Sequence, residues 1–310
     1  MTLKGQNFRI GTLVTETVEE TTVTKFKVFG MATGCTVNLN TNADDSGTKD
    51  DVGMAAKPTI NSKSWQVSVE TLNVVDAAAM LTAIKSLTPF TLIWDEVSTA
   101  DNQTAQKAAF ARKGTAFLSD LTLNFNDREN SAKSLQFTGS GELAKVTSDT
   151  FTTEVIAAGN YSKGQFTRLF LSSDNTAAPA AVIAGAKQMS LHVSMTLENA
   201  STKDTEGDWE IQEPTALNFD ISTTALVRSG ETITSVVSGK TLADLEEIYE
   251  ASLPVKFKIA NTSGANNRTA GTVLISGSVI VASLTNNGQN KQNADYTATL
   301  NGYGMYTVGS

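Results

Sequence analysis

The feature that most constrains this chain is a segment that occurs twice. Residues 114–141, GTAFLSDLTLNFNDRENSAKSLQFTGSG, align without a gap with residues 277–304, GSVIVASLTNNGQNKQNADYTATLNGYG, at a constant offset of 163. Seven of the 28 positions are identical. Each copy reads as a strand, a polar connection and a second strand that ends in Gly-x-Gly. A chain that contains this unit twice is expected to fold as two similar halves.

Further matches occur in the same order along both halves, and they include polar, acidic loops and alternating strands. They are KGQNFRIG with KGQFTRLF (4–11 and 163–170), TKDDVG with TKDTEG (48–53 and 202–207), and WQVSVETL with NFDISTTAL (65–72 and 218–226). The length of the chain, 310 residues, also suits two domains. We therefore predict domains at 1–150 and 151–310, joined by a linker near 145–162.

Each half contains one segment with helical periodicity. The first, residues 75–87, has an apolar stripe and a plausible N-cap in Asp76. The stripe consists of Met80, Ile84 and Leu87. Pro89 follows the segment and opens a predicted strand, because a proline disfavours helical geometry in the residue before it.

The second helical segment, residues 241–253, occupies the same place in the other half. Its apolar face consists of Leu242, Leu245, Tyr249 and Leu253. Thr241 and Asp244 have the spacing of a capping box. Pro254 ends this helix as Pro89 ends the first.

The remaining segments alternate between apolar and polar residues, which predicts sheets with one packed face and one wet face. In the first copy the two sets are Phe117, Leu121, Leu123 and Phe125 against Asp120, Thr122, Asn124 and Asn126; Ile280, Ala282 and Leu284 repeat the apolar set in the second. The predicted fold class is all-β with a minor helical component. It consists of two tandem β-sandwich or barrel domains, each with one flanking α-helix.

Charge and cysteine content exclude several classes of protein. The formal net charge of −8 argues against a protein that binds nucleic acid, although a protein that lets DNA pass without gripping it is compatible. One cysteine, Cys35, excludes an intramolecular disulfide and a CxxC metal site. No apolar run approaches about 20 residues, so we expect no membrane span. The opening MTLKGQNFRIG shows no apolar core of a secretory signal.

Catalytic residues are scarce. His192, the only histidine, lies in the strand-like MSLHVSMTL on the face opposite Leu191 and Val193, and a structural role is favoured over general-base work. Cys35 lies in a strand-like run without a second cysteine or a histidine nearby, which is typical of a small buried hydrophobe.

Three short motifs resemble ligand-binding sequences but are explained by secondary structure. SGKT at 238–241 lacks the first glycine of a phosphate loop, because Thr234 stands there, and it is better explained as the start of a helix. The two Gly-x-Gly pairs end strands and precede no helix, which excludes a dinucleotide fingerprint.

The acidic loop at 42–51 lacks the ligand spacing of a calcium loop and is expected to be solvated, and its counterpart at 198–213 is equally acidic. We therefore expect no enzyme activity, no catalytic, cofactor-binding or metal-ligating residues, and no cofactor.

The closing segment, GTVLISGSVIVASLTNNGQNKQNADYTATLNGYG, resembles that of major tail tube proteins of long-tailed bacteriophages. The positions that carry the resemblance are Gly277, Ser278, Leu284, Thr285, Asp295, Tyr296, Leu300, Gly302 and Gly304. KGQNFRIG is likewise similar to the start of such proteins. The first half departs from the pattern, since Lys133 stands where Tyr296 does. The duplication is a second departure, because most members carry one domain and form six-membered rings.

The resemblance implies a structural virion protein. In this family the inner sheets of neighbouring subunits join into a barrel around a lumen, and rings stack through a long loop or hairpin and the termini. The tube conducts DNA from capsid to host without specific binding. Implied partners are copies of the chain itself and the tape measure, terminator and distal tail proteins. The implied location is the virion tail, after synthesis in the host cytoplasm. With two domains per chain, a homotrimeric ring with pseudo-sixfold symmetry is expected.

Two other classes stay open at this point. A two-domain β-sandwich surface adhesin or fibre protein also fits the alternating strands and the abundance of threonine and asparagine, but it does not account for the missing signal peptide or for the same place of the helix in each half. A hydrolase that uses a serine, His192 and an aspartate would require catalysis from the only histidine.

Overall fold

The computed structural model describes residues 5–18, 21–51, 57–72, 76–98, 104–146, 151–155, 162–205, 207–227, 239–263 and 269–309. In these residues sixteen strands form one hydrogen-bonded sheet, accompanied by two α-helices. The predicted fold class, all-β with a minor helical component, is confirmed.

The first half begins with a 3-10 turn at Gly5–Asn7. Its strands are β1 (Phe8–Val18), β2 (Thr21–Val28), β3 (Ala32–Asp45), β4 (Pro58–Thr71), β5 (Phe90–Glu96), β6 (Arg112–Asn126), β7 (Ala132–Lys145) and β8 (Thr152–Val155), and its helix is α1 (Ala77–Lys85). Strand β8 lies within the segment predicted as a linker and pairs in parallel with β2. The remaining centre of that segment, 147–150 and 156–161, lies outside the described residues.

The second half also begins with a 3-10 turn, at Gly164–Phe166. Its strands are β9 (Thr167–Leu171), β10 (Ala181–Val182), β11 (Ala186–Asn199), β12 (Gln212–Leu226), β13 (Val255–Ser263), β14 (Thr269–Asn287), β15 (Asp295–Gly302) and β16 (Thr307–Val308), and its helix is α2 (Leu242–Ala251). The repeated segment is therefore the strand pair β6–β7 in one half and β14–β15 in the other.

Strand pairing follows the same path in both halves. The first runs β2-β1-β5-β6-β7-β4-β3, and the second runs β10-β9-β13-β14-β15-β12-β11. Even the irregularities coincide, because an extra residue interrupts the pairing at Ser119 in β6 and at Ala282 in β14. Each interruption reverses the alternation, so the predicted apolar face is wrong beyond it: Leu118 and Val281 are buried, whereas Phe117, Ile280 and Ala282 are not. The repeat thus extends to the hydrogen bonds of the sheet, while the domain boundary at 150/151 stays a prediction.

Each path folds over an apolar core, so that strands that are not hydrogen-bonded to each other meet across it. In the first half the rings of Trp65 (β4) and Trp94 (β5) lie 5.9 Å apart. In the second, the rings of Phe219 (β12) and Phe257 (β13) lie 5.7 Å apart. Large aromatic side chains on facing layers supply much of the apolar area that folding removes from water.

The Gly-x-Gly pairs let this core form. A Cβ atom on Gly139 would lie 2.0 Å from the Trp65 ring, and one on Gly302 would lie 2.4 Å from the Phe219 ring. The second glycine of each pair, Gly141 or Gly304, has a positive φ, 81° and 76° respectively. The first glycine therefore makes room for an aromatic ring, and the second adopts a backbone geometry that L side chains disfavour.

Helix α1 differs from its prediction at both ends. Met80 and Ile84 are buried as expected, but Leu87 lies beyond the helix and is exposed. The capping role of Asp76 is wrong, since its side chain makes no capping hydrogen bond. Its carboxylate instead forms an ion pair with Lys133, which is buried beneath the helix. A buried ammonium group requires a charged partner, and this requirement takes Asp76 away from the helix end.

Helix α2 confirms the capping box of Thr241 and Asp244. Its buried face was predicted only in part, because Leu245 and Ile248 are buried whereas Tyr249 and Leu253 are exposed. The motif SGKT ends at this cap; its Ser238, and Thr234 before it, lie outside the described residues.

The acidic loops begin later than predicted. Residues 42–45 continue β3, and residues 198–199 and 212–213 belong to β11 and β12. The connections are therefore 46–57, of which 52–56 lie outside the described residues, and 200–211, of which 206 does. Cys35 is half-buried in β3, and burial raises the pKa of its thiol. Across the described residues, the helices are too short to cross a membrane.

Candidate assembly interface

The two halves are joined by an antiparallel strand pair. The end of β6 pairs with the start of β11, so that Leu121 lies opposite Val193 and Thr122 lies opposite His192. Leu121 and Val193 are both completely buried. This pair, the internal junction, makes one continuous sheet out of two copies of the path.

The counterparts of these strands each have one unpaired edge in the same sheet, and we call these two edges its open ends. Strand β14 corresponds to β6 at an offset of 163, and β3 corresponds to β11 at an offset of 154. Within the described residues, β3 pairs only with β4, and the end of β14 pairs only with β15. Leu39, the counterpart of Val193, is 62 % exposed where Val193 is 0 % exposed. Each end of the sheet therefore presents half of a junction.

The helices show the same contrast. Helix α1 is covered by the end of the second half, where the Tyr306 hydroxyl donates a hydrogen bond to the Leu81 carbonyl at 2.8 Å. Ile84 in α1 is consequently buried, at 1 % exposure. Its counterpart in α2, at an offset of 165 set by the two prolines, is Tyr249, which is 51 % exposed. Within the described residues, the part of the predicted face of α2 that contains Tyr249 and Leu253 is thus left without cover in a single chain.

The loop at 200–211 also lies across the internal junction. The Lys63 amide donates to the Asp208 carbonyl at 2.7 Å, and the Glu210 amide donates to the Lys63 carbonyl at 3.0 Å. The corresponding loop, 46–57, begins at an exposed hairpin arm. The matching surface on the second half is an open recess, lined by Leu217, Asn218, Phe219, Gly302, Gly304 and Met305.

The face of the sheet opposite the core is polar along eight strands. In order of pairing from β3 to β14, its side chains are Thr36, Asn38, Asn40, Gln66, Ser68, Glu70, Ser134, Gln136, Thr138, Asp120, Thr122, Asn124, Ser190, His192, Ser194, Asn218, Asp220, Ser222, Thr224, Thr297, Thr299, Asn301, Ser283, Thr285 and Asn287. This set, the polar face, contains three carboxylates and one histidine but neither lysine nor arginine. At its edge Asp295 lies opposite Asn287 and forms an ion pair with Lys187 at 3.4 Å.

His192 lies on the polar face between two carboxylates from neighbouring strands. Its Nε2 is 2.6 Å from Asp120 Oδ2, and its Nδ1 is 2.8 Å from Asp220 Oδ1. Burial lowers the pKa of His192, but the hydrogen bonds to Asp120 and Asp220 outweigh burial and raise it above its usual value. The predicted face is confirmed, whereas the two partners come from non-adjacent sequence and were missed.

This geometry counts against the hydrolase hypothesis. Because each ring nitrogen of His192 already faces a carboxylate, neither is free to take a proton from a serine hydroxyl. In the part of the chain that the structure describes, no group of three or more histidine, cysteine, aspartate or glutamate side chains is arranged to hold a metal ion.

Comparisons with known proteins give likenesses at the level of structure alone. No protein-family model matches the chain, and no curated protein matches it in sequence. A structure of the tail of an empty gene transfer agent particle, with C6 symmetry, is similar with a TM-score of 0.37 and 12% identity. The matched region covers 47% of this chain and 98% of the chain in that structure.

Two other solved structures are similar to the same extent. One is the virion of a native gene transfer agent particle, with a TM-score of 0.36 and 12% identity over 47% of this chain and 98% of that chain. The other is the SPP1 tail tube, with a TM-score of 0.35 and 14% identity over 47% of this chain and 78% of that chain.

Proposed function

We propose that this chain is a structural virion protein, the major subunit of a phage-type tail tube. Three copies form a ring with pseudo-sixfold symmetry, and stacked rings form the channel through which DNA passes from capsid to host. The observation that carries the proposal is the pair of open sheet ends, which repeat the two sides of the internal junction. Within the assembly, the partners are other copies of the chain and the tape measure, terminator and distal tail proteins.

The internal junction supplies the geometry for contacts between chains. If β14 of one copy pairs with β3 of the next as β6 pairs with β11, Leu284 lies opposite Leu39 and Thr285 lies opposite Asn38. This pairing satisfies the free N–H and C=O groups of both edges. It also supplies apolar cover for Leu39, Tyr249 and Leu253, which are 62 %, 51 % and 63 % exposed in a single chain.

The polar face is the surface that we assign to the lumen. It runs without interruption from β3 to β14, so ring closure makes it continuous. Cationic side chains that contact phosphates add salt-dependent affinity for DNA. A face without lysine or arginine holds no such contacts, and DNA can slide along it without being retained.

The symmetry of the assembled protein tests this proposal. In cryo-electron microscopy of the purified chain, we expect stacked rings with threefold symmetry and two similar lobes per chain. Six whole chains around one ring would contradict the proposed stoichiometry. Isolated rods or monomers at all concentrations would favour the adhesin or fibre alternative.

A pair of cysteines tests the register of the contact between chains. In a Cys35→Ala background, Asn38→Cys with Thr285→Cys places two thiols on directly opposed residues, within disulfide range. Oxidation is expected to give a covalent species of three chains on a non-reducing gel. As a control, Gln66→Cys replaces Asn38→Cys; Gln66 lies one strand further away, at about 10 Å, which is too far for a disulfide.

A further inference from the structure

The first residues of the second half lie against the β6–β7 turn of the first half. The Gly164 amide donates to the Glu129 carbonyl at 3.0 Å, and the Ser131 amide donates to the Ser162 carbonyl at 2.7 Å. A Cβ atom on Gly164 would lie 2.3 Å from the Asn126 carbonyl oxygen. A glycine is therefore required here, because two backbones approach more closely than any side chain permits.

The first half begins with the same residues, Lys-Gly-Gln, but this turn has no such neighbour. Gly5 corresponds to Gly164, and a Cβ atom built on Gly5 meets nothing within 4 Å. The turn borders an open recess lined by Gly5, Gln6, Phe8, Arg9, Ala32, Thr33, Gly34 and Cys35. Their counterparts in the second half line the recess that the β6–β7 turn closes. Among the residues that the structure describes, nothing within one chain explains why position 5 should be a glycine.

The turn that matches β6–β7 is the Asn/Gln-rich connection between β14 and β15. Its residues 288–293 are exposed. Lys291 has a φ of 64°, and Arg128, its counterpart in the first copy, has a φ of 61°. The two turns therefore share a backbone conformation, but only the first has a glycine packed against it.

We propose that the N-terminal turn of one copy, Gly5–Asn7, docks on the Asn/Gln-rich turn, 288–293, of the next copy. The proposal rests on the proposed ring and adds a second contact to the strand pairing. By the offset of 163, Gly5 approaches the carbonyl of Gln289, and its amide donates to the carbonyl of Gln292. Because backbone groups make this contact, the side chains of the Asn/Gln-rich turn need not supply the hydrogen-bond acceptor.

The smallest possible substitution tests this contact. Gly5→Ala places a methyl group in open space in a single chain, so its melting temperature at concentrations too low for assembly should equal that of the wild type. In the ring the methyl group meets the Gln289 backbone, and the concentration needed for half-assembly should rise at least about tenfold. Gly164→Ala is the matched control: it should lower the melting temperature of the unassembled chain as well.

Amide exchange gives a second measurement that needs no substitution. On assembly of the wild-type protein, the Gly5 amide should exchange at least about tenfold more slowly, as expected of a newly donated hydrogen bond. Normal assembly of Gly5→Ala, or unchanged exchange at Gly5 in rings, would overturn this inference and leave the ring intact. Absence of rings in the wild type would instead overturn the proposed function.

Discussion

The internal junction and the open edges are built from corresponding strands, yet they differ in burial and in charge. Val193 and Leu39 stand on the same face at corresponding positions, and one is 0 % exposed while the other is 62 % exposed. Except across the interruptions at Ser119 and Ala282, alternation in the sequence therefore determines which way a side chain points. Whether that side chain is buried depends on a neighbouring strand that the sequence pattern does not reveal.

The polar side of the two junctions differs in chemistry. At the internal junction, His192 bridges Asp120 and Asp220. The counterparts on the open edges are Asn38, Ser283 and Gln66, all of which are neutral. A contact within one chain forms during folding, whereas one between chains must form from two hydrated surfaces. Neutral groups lose less hydration when they are brought together.

The largest expected effect is on the free energy of unfolding, when an aspartate is introduced at either of two corresponding positions in separate variants. Val193→Asp buries a carboxylate in the core and should lower the free energy of unfolding by at least about 4 kcal/mol. Leu39→Asp places the same carboxylate in solvent and should change it by less than about 0.5 kcal/mol. Denaturant titration of dilute, unassembled protein measures both values.

Leu39→Asp, which should hardly change the stability of a single chain, should have a large effect on assembly. Leu39→Asp should abolish rings under conditions in which the wild type forms them, because the new charge would be buried opposite Leu284. If Leu39→Asp protein forms normal rings, the open edges do not pair in the register of the internal junction.

The next effect concerns the buried ion pair, which exists in the first half only. Burial lowers the pKa of Lys133, and Asp76 opposes this shift. Asp76→Thr leaves the ammonium group unpaired and should cost about 3 kcal/mol. Adding Lys133→Tyr imports the residue types of Thr241 and Tyr296 from the second half, and should recover most of that loss. If the double variant is less stable than Asp76→Thr alone, the two halves do not pack this region alike.

A somewhat smaller effect should be equal in both halves. Gly139→Ala and Gly302→Ala each force a methyl group against an aromatic ring and should cost about 2 kcal/mol. Thermal unfolding of the two variants measures the losses. A loss in only one of them would show that the two cores are not equivalent.

Sequence reasoning succeeded where the signal is local. The individual strands of the two repeated pairs, both helices and the capping box of Thr241 follow from periodicity or spacing within a single element. The pairing of β6 with β11 could not be predicted, because strand partners far apart in sequence share no local pattern. The same limit explains the missed carboxylates at His192 and the exposure of Tyr249, since each depends on an element from elsewhere in the chain or from another copy.

The smallest effect is a pH dependence confined to the internal junction. Because the folded-state pKa of His192 is raised, its protonation stabilises the fold fully below its unfolded pKa, about 6.5, and this contribution is lost as pH rises through the folded pKa. The imidazole of His192 is partly exposed to solvent, so its titration should lower the melting temperature by only about 1 °C between pH 6 and pH 8. His192→Gln should remove that part of the pH dependence, and differential scanning calorimetry of both proteins measures it. No other histidine is present, and the groups that face His192 are the carboxylates of Asp120 and Asp220. Ring formation should not change over the same range, because the corresponding residues of the open edges do not titrate. Rings that dissociate between pH 6 and pH 8 would place a titrating group at the contact between chains, contrary to the register proposed here.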